Sequence, residues 1–109
     1  MRISGYRCIW IVLMFDLPVD TKASRRAYTQ FRTKLIKDGF MQMQYSVYMR
    51  HCTSKENTIV HLERIKKILP SVGEVRVLYI TDKQFERMYV FYGKKRKRPE
   101  SAPEQLQLF

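Results

Sequence analysis

A single carboxylate stands where the most apolar stretch of the chain ends. Residues 8–15 are continuously apolar, and Asp16 follows them, just ahead of Pro18. Carboxylate oxygens are the ligands that Mg²⁺ prefers, and a bound Mg²⁺ can activate water for the hydrolysis of a phosphodiester. Aspartate is also common in turns, where its carboxylate accepts hydrogen bonds from nearby backbone N–H groups. Asp16 is therefore our candidate metal ligand and catalytic residue, with a turn residue as the alternative.

Basic side chains give the second chemical signal. The chain has 21 Lys and Arg against 10 Asp and Glu, a net charge of +11. Such an excess predicts a partner with dense negative charge, and nucleic acid is the commonest one. The candidate phosphate contacts are Lys22, Arg25, Arg26, Arg32, Lys37, Lys94, Lys95, Arg96, Lys97 and Arg98. A solvated helix face is the alternative for the first five, and we expect the run 94–98 to become ordered only along DNA.

Histidine and cysteine offer little further chemistry. His51 and His61 are the only imidazoles, and we expect both to be packed or solvated rather than adjacent to Asp16. Cys8 and Cys52 lack the spacing of a zinc site and are expected to be reduced thiols. The sequence shows no Ser-His-Asp arrangement and no glycine-rich phosphate loop.

The spacing of apolar residues along the chain predicts the strands and helices that position these residues. Residues 8–15 indicate a central strand covered on both faces. A helix is expected over 20–38, capped by Asp20 and ended by Gly39. Residues 40–44 and 47–52 then indicate two strands joined by a tight turn at Tyr45-Ser46.

The second half of the chain again predicts a helix followed by strands. Thr53 and Glu56 suggest a capping box for a helix that reaches about Leu69 and buries Leu62, Ile65 and Leu69. Strands are expected at 74–81 and 84–93. The order predicts an α+β, ferredoxin-like β-α-β-β-α-β fold with an additional C-terminal strand.

One face of such a sheet carries no helices. We expect Trp10, Tyr48, Tyr79 and Tyr89 on that face, where they would be covered by a second copy or by stacked bases.

We divide the chain into a domain at 1–93 and a tail at 94–109. The tail combines the basic run with an apolar end, and it is expected to contact a partner chain through Leu106, Leu108 and Phe109 by edge addition. No apolar run approaches the length needed to cross a bilayer, so we expect a cytoplasmic protein without a membrane partner.

Three segments together resemble a known family. The sequences "IWIVLMFDLP", "KASRRAY" and "GFMQMQYSVY", in this order and spacing, resemble CRISPR-associated protein 2 of type II systems, and the resemblance extends over nearly the whole chain. It implies a homodimer whose sheets face each other, with the C-terminal strand of one subunit extending the partner's sheet. It also implies that the two copies of Asp16 approach the dimer axis, where they can share one Mg²⁺.

The resemblance implies a role in bacterial spacer acquisition. The dimer would bridge two dimers of the integrase subunit, CRISPR-associated protein 1, and bind the backbone of the prespacer DNA duplex. The alternative is a metal-dependent endoribonuclease or endodeoxyribonuclease that acts through the Asp16 pair, so RNA is a second possible partner. Phe15, Gln42 and Tyr48 differ from residues found in some members, which weakens the nuclease interpretation and leaves enzymatic activity open. An RNA-recognition module is disfavoured because its Lys/Arg-Gly-Phe-type motif is absent.

Overall fold

Strand β1 forms the centre of the fold because its side chains are apolar on both faces. The computed structural model describes residues 9–101. Along the chain the elements are β1 (Ile9–Asp16), α1 (Lys22–Lys37), β2 (Met41–Gln44), β3 (Val47–Cys52), α2 (Lys55–Ile68), β4 (Glu74–Thr81), α3 (Asp82–Glu86), β5 (Val90–Tyr92) and β6 (Lys95–Lys97). The first four strands form a sheet of order β2-β3-β1-β4, in which every pair is antiparallel. This confirms the ferredoxin-like α+β fold.

Helices α1 and α2 pack on one face of the sheet and form the main core with it. Ile11, Leu13 and Phe15 of β1 contribute to this core, together with Phe31 of α1 and Ile65 of α2. Alternate residues of a strand point to opposite faces, so Trp10 belongs to a second cluster on the other side. The expectation of a central strand covered on both faces is therefore met.

Two tyrosines were assigned to the wrong face of the sheet. Tyr48 is fully buried among the core residues on the helix side. It pairs with Leu13, and directly paired residues share a face. Tyr79 pairs with Ile11 and so also belongs to the helix side, where edge strand β4 leaves it 60% exposed. Tyr89 is outside the sheet, between α3 and β5.

The N-cap of each long helix lies one residue later than predicted. Thr21, not Asp20, caps α1, because its hydroxyl accepts the backbone N–H of Ser24 while the Ser24 hydroxyl accepts the backbone N–H of Thr21. Ser54, not Thr53, caps α2 by accepting the backbone N–H of Asn57. In each case two neighbouring residues have suitable oxygens, and the backbone path selects one.

The residues that α2 buries also differ from those predicted. Its buried residues are Thr58, His61 and Ile65, and Leu62 is partly buried against the core. Leu69 lies just beyond the helix and is 47% exposed, which contradicts its predicted burial. Two turns were predicted correctly. Gly39 follows the end of α1 with φ 94°, and Ser46 lies in the β2–β3 turn with φ 61°.

The predicted strand over 84–93 is wrong in its first half. Residues Asp82–Glu86 form helix α3, which Thr81 and Gln84 begin with a reciprocal capping box. Phe85 of this helix stacks on Trp10 at a centroid distance of 4.1 Å, and both rings are buried. This cap and this burial outweigh the strand preference of the aromatic residues.

Helix α3 partly covers the sheet face that was predicted to be open. Phe85 and Met88 pack there with Trp10, Met49 and Ile80. Leu78, farther along β4, is still 41% exposed. Within residues 9–101, no helix has the length and apolar character needed to cross a membrane.

Candidate nucleic-acid interface and carboxylate site

Asp16 lies at the C-terminal end of β1, directly opposite Glu74 at the start of β4. Paired residues of an antiparallel ladder share a face, with Cβ atoms roughly 4.5–5.5 Å apart. Both residues are exposed. Glu74 in turn accepts a hydrogen bond from the guanidinium of Arg76 at 3.0 Å. The site therefore holds two neighbouring carboxylates, of which only Asp16 was predicted.

Gly73 allows β4 to begin this close to Asp16. Its φ of 96° lies in the region that only glycine adopts readily. A Cβ at this position would lie 2.5 Å from Leu17 Cδ2 and 2.9 Å from the Asp16 carbonyl oxygen. The close approach of the two backbones thus depends on the absence of a side chain at residue 73.

The donors at this site suit a hard cation in type but are few in number. Carboxylate oxygens fit Mg²⁺, which keeps several waters when it binds to proteins through one or two carboxylates. Within residues 9–101, the Asp16 carboxylate accepts no hydrogen bond, so the predicted turn contacts are not formed. The same part of the chain brings together no group of three His, Cys, Asp or Glu residues that could hold a metal. One subunit thus supplies Asp16 and Glu74 as candidate ligands.

The predicted basic residues of the first helix are exposed on α1. The helix has six Lys and Arg residues and no Asp or Glu. Lys22, Arg25 and Arg26 fall in its first two turns, close to the backbone amides that the N-terminus leaves without helical partners. Arg25 donates to the carbonyl of Val19 at 3.1 Å, which holds its side chain beside the loop that follows Asp16. The end of α1 nearest Asp16 is therefore strongly positive.

Two other basic residues of α1 differ in their surroundings. The guanidinium of Arg32 donates to the hydroxyl of Tyr48 at 2.8 Å, so it satisfies a buried phenol as well as facing solvent. Lys37 is the last helical residue and is exposed. It lies 11 residues after Arg26, which places the two on nearly the same side of the helix, about 20° apart.

The basic run at 94–98 is partly structured. Lys95–Lys97 form β6, which pairs with β5, so this part of the run has regular structure where disorder was expected. The guanidinium of Arg96 lies 4.3 Å from the ring centroid of Tyr89, and the ammonium of Lys97 lies 5.2 Å from that of Tyr92. Leu106, Leu108 and Phe109 lie outside the described residues.

Both histidines are packed against carboxylates and are separate from Asp16, as predicted. His51 contacts Asp82 at 3.1 Å, and its side chain is only 4% exposed. His61 donates from Nδ1 to Asp38 at 2.7 Å, and Arg64 donates to the other oxygen of Asp38 at 2.7 Å. Burial acts to raise the pKa of Asp38, but the hydrogen bonds and charges of His61 and Arg64 outweigh it and lower the pKa.

Cys52 has no sign of reactivity in the structure. The thiol is fully buried, and this burial raises its pKa. A thiol is a nucleophile mainly as the thiolate, so Cys52 is a packing residue. The carboxylate pair of Asp16 and Glu74 and the basic surface of α1 are thus the two features that could bind a ligand or support a reaction.

Comparison with known proteins places these features in a family context. The family described as "CRISPR associated protein Cas2" matches residues 9–88. A relative from Parvibaculum lavamentivorans is 54% identical over 93% of this chain and 100% of its own length. Relatives from Flavobacterium psychrophilum and Paracidovorax avenae are 46% and 45% identical over 99% and 98% of this chain, covering 94% and 99% of their own lengths. All three are named CRISPR-associated endoribonuclease Cas2.

Proposed function

This chain belongs to the CRISPR-associated Cas2 family, and we propose that it is a structural DNA-binding subunit of a bacterial spacer-acquisition complex. The observation that carries the proposal is the exposed surface of α1, where six cations occur without any carboxylate on the same helix. Cations of this kind bind phosphates of a duplex without reading its sequence. The amides at the N-terminus of α1 add to the attraction for phosphate beside Lys22, Arg25 and Arg26.

The proposal includes a homodimer. The sheet face that bears Leu78 is only partly covered by α3, and an exposed apolar surface favours a protein partner. Among the strands of residues 9–101, β4 is an edge strand with no neighbour on its outer side, where a strand of a second copy could add. We assign the cytoplasm as the site of action and a type II system as the context.

The partner of the dimer in this proposal is the integrase subunit. The dimer would bridge two integrase-subunit dimers and hold the centre of the prespacer duplex, while the tail at 94–109 contacts the integrase through Leu106, Leu108 and Phe109. Deletion of residues 99–109 tests the tail contact. It should weaken the affinity between the two purified subunits, and an unchanged affinity would rule out this role.

An integration assay with purified integrase subunit tests the main proposal. The double variant Arg25→Ala/Arg26→Ala should reduce both duplex binding and integration, because it removes two phosphate contacts near the N-terminus of α1. Lys55→Ala/Lys83→Ala is the matched control, since it removes the same charge from exposed residues at the opposite end of the sheet. Equal integration by the two variants would contradict the proposal.

A second function is favoured by the names of the relatives and by the carboxylate pair. We propose metal-dependent cleavage of RNA or DNA as the alternative, with Asp16 and Glu74 from each subunit as candidate ligands of Mg²⁺. When bound, the cation would supply an activated water and stabilise charge on the phosphate. Asp16 would orient it, and the basic surface of α1 would position the backbone.

Asp16→Ala separates the two functions. If the subunit acts mainly as a DNA scaffold, this variant should integrate prespacers nearly as well as the wild type while losing any Mg²⁺-dependent cleavage. Loss of integration, with dimer and complex still formed, would reverse the ranking of the two functions.

A further inference from the structure

The turn between β2 and β3 carries an exposed aromatic ring beside the carboxylate site. Tyr45, the first residue of this turn, is 77% exposed. The backbone N–H of Phe15 donates to the carbonyl oxygen of Ser46 at 3.1 Å, so the turn lies against the end of β1. Since β1 is the strand between β3 and β4, Asp16 is flanked by Glu74 on one side and by this turn on the other.

The residues of this turn are unusual for its shape. Two-residue hairpin turns favour Asn and Gly, because one or both of their central residues adopt a positive φ. Here Ser46 adopts a φ of 61°, and within residues 9–101 every other residue with a positive φ is a glycine. Tyr45 stands at the neighbouring position, outside the buried core. Neither turn geometry nor core packing therefore accounts for an aromatic residue at position 45.

Tyr28 of α1 restrains the phenol of Tyr45. A hydrogen bond between the two hydroxyl groups raises the pKa of Tyr45. Tyr28 is itself partly buried and packs edge-on against the ring of Phe15, at a centroid distance of 5.6 Å. The hydroxyl end of Tyr45 is thus tied to the edge of the core, while its ring is open to solvent. A ring restrained in this way has less freedom to lose when a ligand stacks on it.

The surroundings of Tyr45 suit a nucleobase better than a protein partner. Its neighbours are polar: Gln44 and Asp16 are exposed, and Ser46 is half-buried. A protein interface requires a contiguous apolar patch, which one ring among polar residues does not provide. A nucleobase requires only one aromatic face, since every base has a π-surface that can stack on it.

We propose that Tyr45 stacks on an unpaired base of a nucleic-acid strand whose backbone passes Asp16. The inference rests on the nucleic-acid-binding role proposed above and adds a preference that cations cannot provide. Phosphates are present in single strands and in duplexes alike, whereas the face of a base is accessible only where the base is unpaired. Tyr45 is thus a specificity-determining residue that favours single strands at the carboxylate site.

The test uses the full chain without Mg²⁺, so that binding is measured apart from cleavage. The probes are a single strand containing 2-aminopurine, made as DNA and as RNA of the same sequence, and the corresponding DNA duplex. Tyr45→Asn should weaken binding of both single strands on the order of tenfold and remove the quenching of 2-aminopurine that stacking causes. Binding of the duplex should not change.

Two further variants separate stacking from other effects. Tyr45→Phe keeps the ring without the hydroxyl, and it should bind single strands within about twofold of the wild type. Tyr79→Asn is the matched control, because Tyr79 is also exposed but lies on the helix side of the sheet, on the face opposite to Asp16. Asparagine suits a turn, so Tyr45→Asn should fold, and thermal unfolding confirms it.

Several results would overturn the proposal. Quenching that persists in Tyr45→Asn would show that the base stacks elsewhere, and an equal loss for duplex and single strand would show an effect other than stacking. An equal loss in Tyr79→Asn would be a general effect of removing an exposed ring. If the wild type binds the duplex but not the single strand, the role of Tyr45 fails alone. If it binds neither, the proposed DNA-binding function fails with it.

Discussion

Asp16 and Glu74 are paired directly across the β1–β4 ladder, so that two carboxylates far apart in sequence occupy one end of the sheet. Gly73 permits this pairing, because any side chain there would collide with Leu17 and with the Asp16 backbone. The guanidinium of Arg76 forms an exposed ion pair with Glu74 at 3.0 Å. This arrangement leads to predictions for cleavage and for stability.

Glu74→Gln should weaken any Mg²⁺-dependent cleavage less than Asp16→Asn does. Asp16 is the only one of the two carboxylates without an ion pair within residues 9–101, whereas Glu74 must first leave Arg76. Cleavage of labelled RNA and DNA at several Mg²⁺ concentrations provides the measurement. Glu74 acts as a ligand if its variant requires more Mg²⁺ for half-maximal rate, and an unchanged requirement would exclude it.

Gly73→Ala should destabilise the fold by about 1–3 kcal/mol, since it combines a left-handed backbone with a steric clash. Gly93→Ala is a matched control, because Gly93 also has a positive φ of 62° but a Cβ there would meet no atom within 4 Å. Chemical denaturation compares the two variants. Equal losses would show that the backbone conformation alone, and not the contact with Asp16 and Leu17, requires glycine at residue 73.

Arg25→Ala/Arg26→Ala should make the salt dependence of duplex affinity shallower by about 2, at roughly 0.9 per phosphate contact. The loss should be the same for unrelated sequences, since these side chains are expected to contact the backbone only. Fluorescence anisotropy over a salt series measures it. A loss confined to one sequence would instead indicate contacts with bases.

Asp38→Asn should lower stability at neutral pH by about 1–3 kcal/mol, because it weakens charged hydrogen bonds from His61 and Arg64. The folded-state pKa of Asp38 lies below its usual value of 3.8. The carboxylate therefore stabilises the fold above about pH 4, and this contribution is lost as the pH falls through the lowered folded-state value.

The pH dependence provides the check on that account. Wild type should lose stability on acidification more steeply than Asp38→Asn, and the two curves should converge at low pH. Glu63→Gln is a suitable control, because Glu63 forms an exposed pair with Lys66 that is expected to contribute little. A constant difference between wild type and Asp38→Asn at all pH values would mean that the charge of Asp38 is unimportant.

The sequence alone was enough to predict β1, both long helices, the β2–β3 hairpin and the cationic surface of α1. These features depend on local patterns: an apolar run, a helical period and turn residues. Helix α3 also has a local signal, the capping box of Thr81 and Gln84, which the aromatic residues of 84–93 obscured. The one-residue errors at Asp20 and Thr53 arose because adjacent residues can both act as caps.

Only the tertiary structure determined which distant residues meet. The pairing of Asp16 with Glu74 depends on strand register, and the side of the sheet occupied by Tyr48 depends on its pairing with Leu13. The bonds from His61 and Arg64 to Asp38 depend on how α1 and α2 pack. Local sequence sets the conformation of each segment, but register and helix packing are set by burial of the whole core, which no single segment encodes.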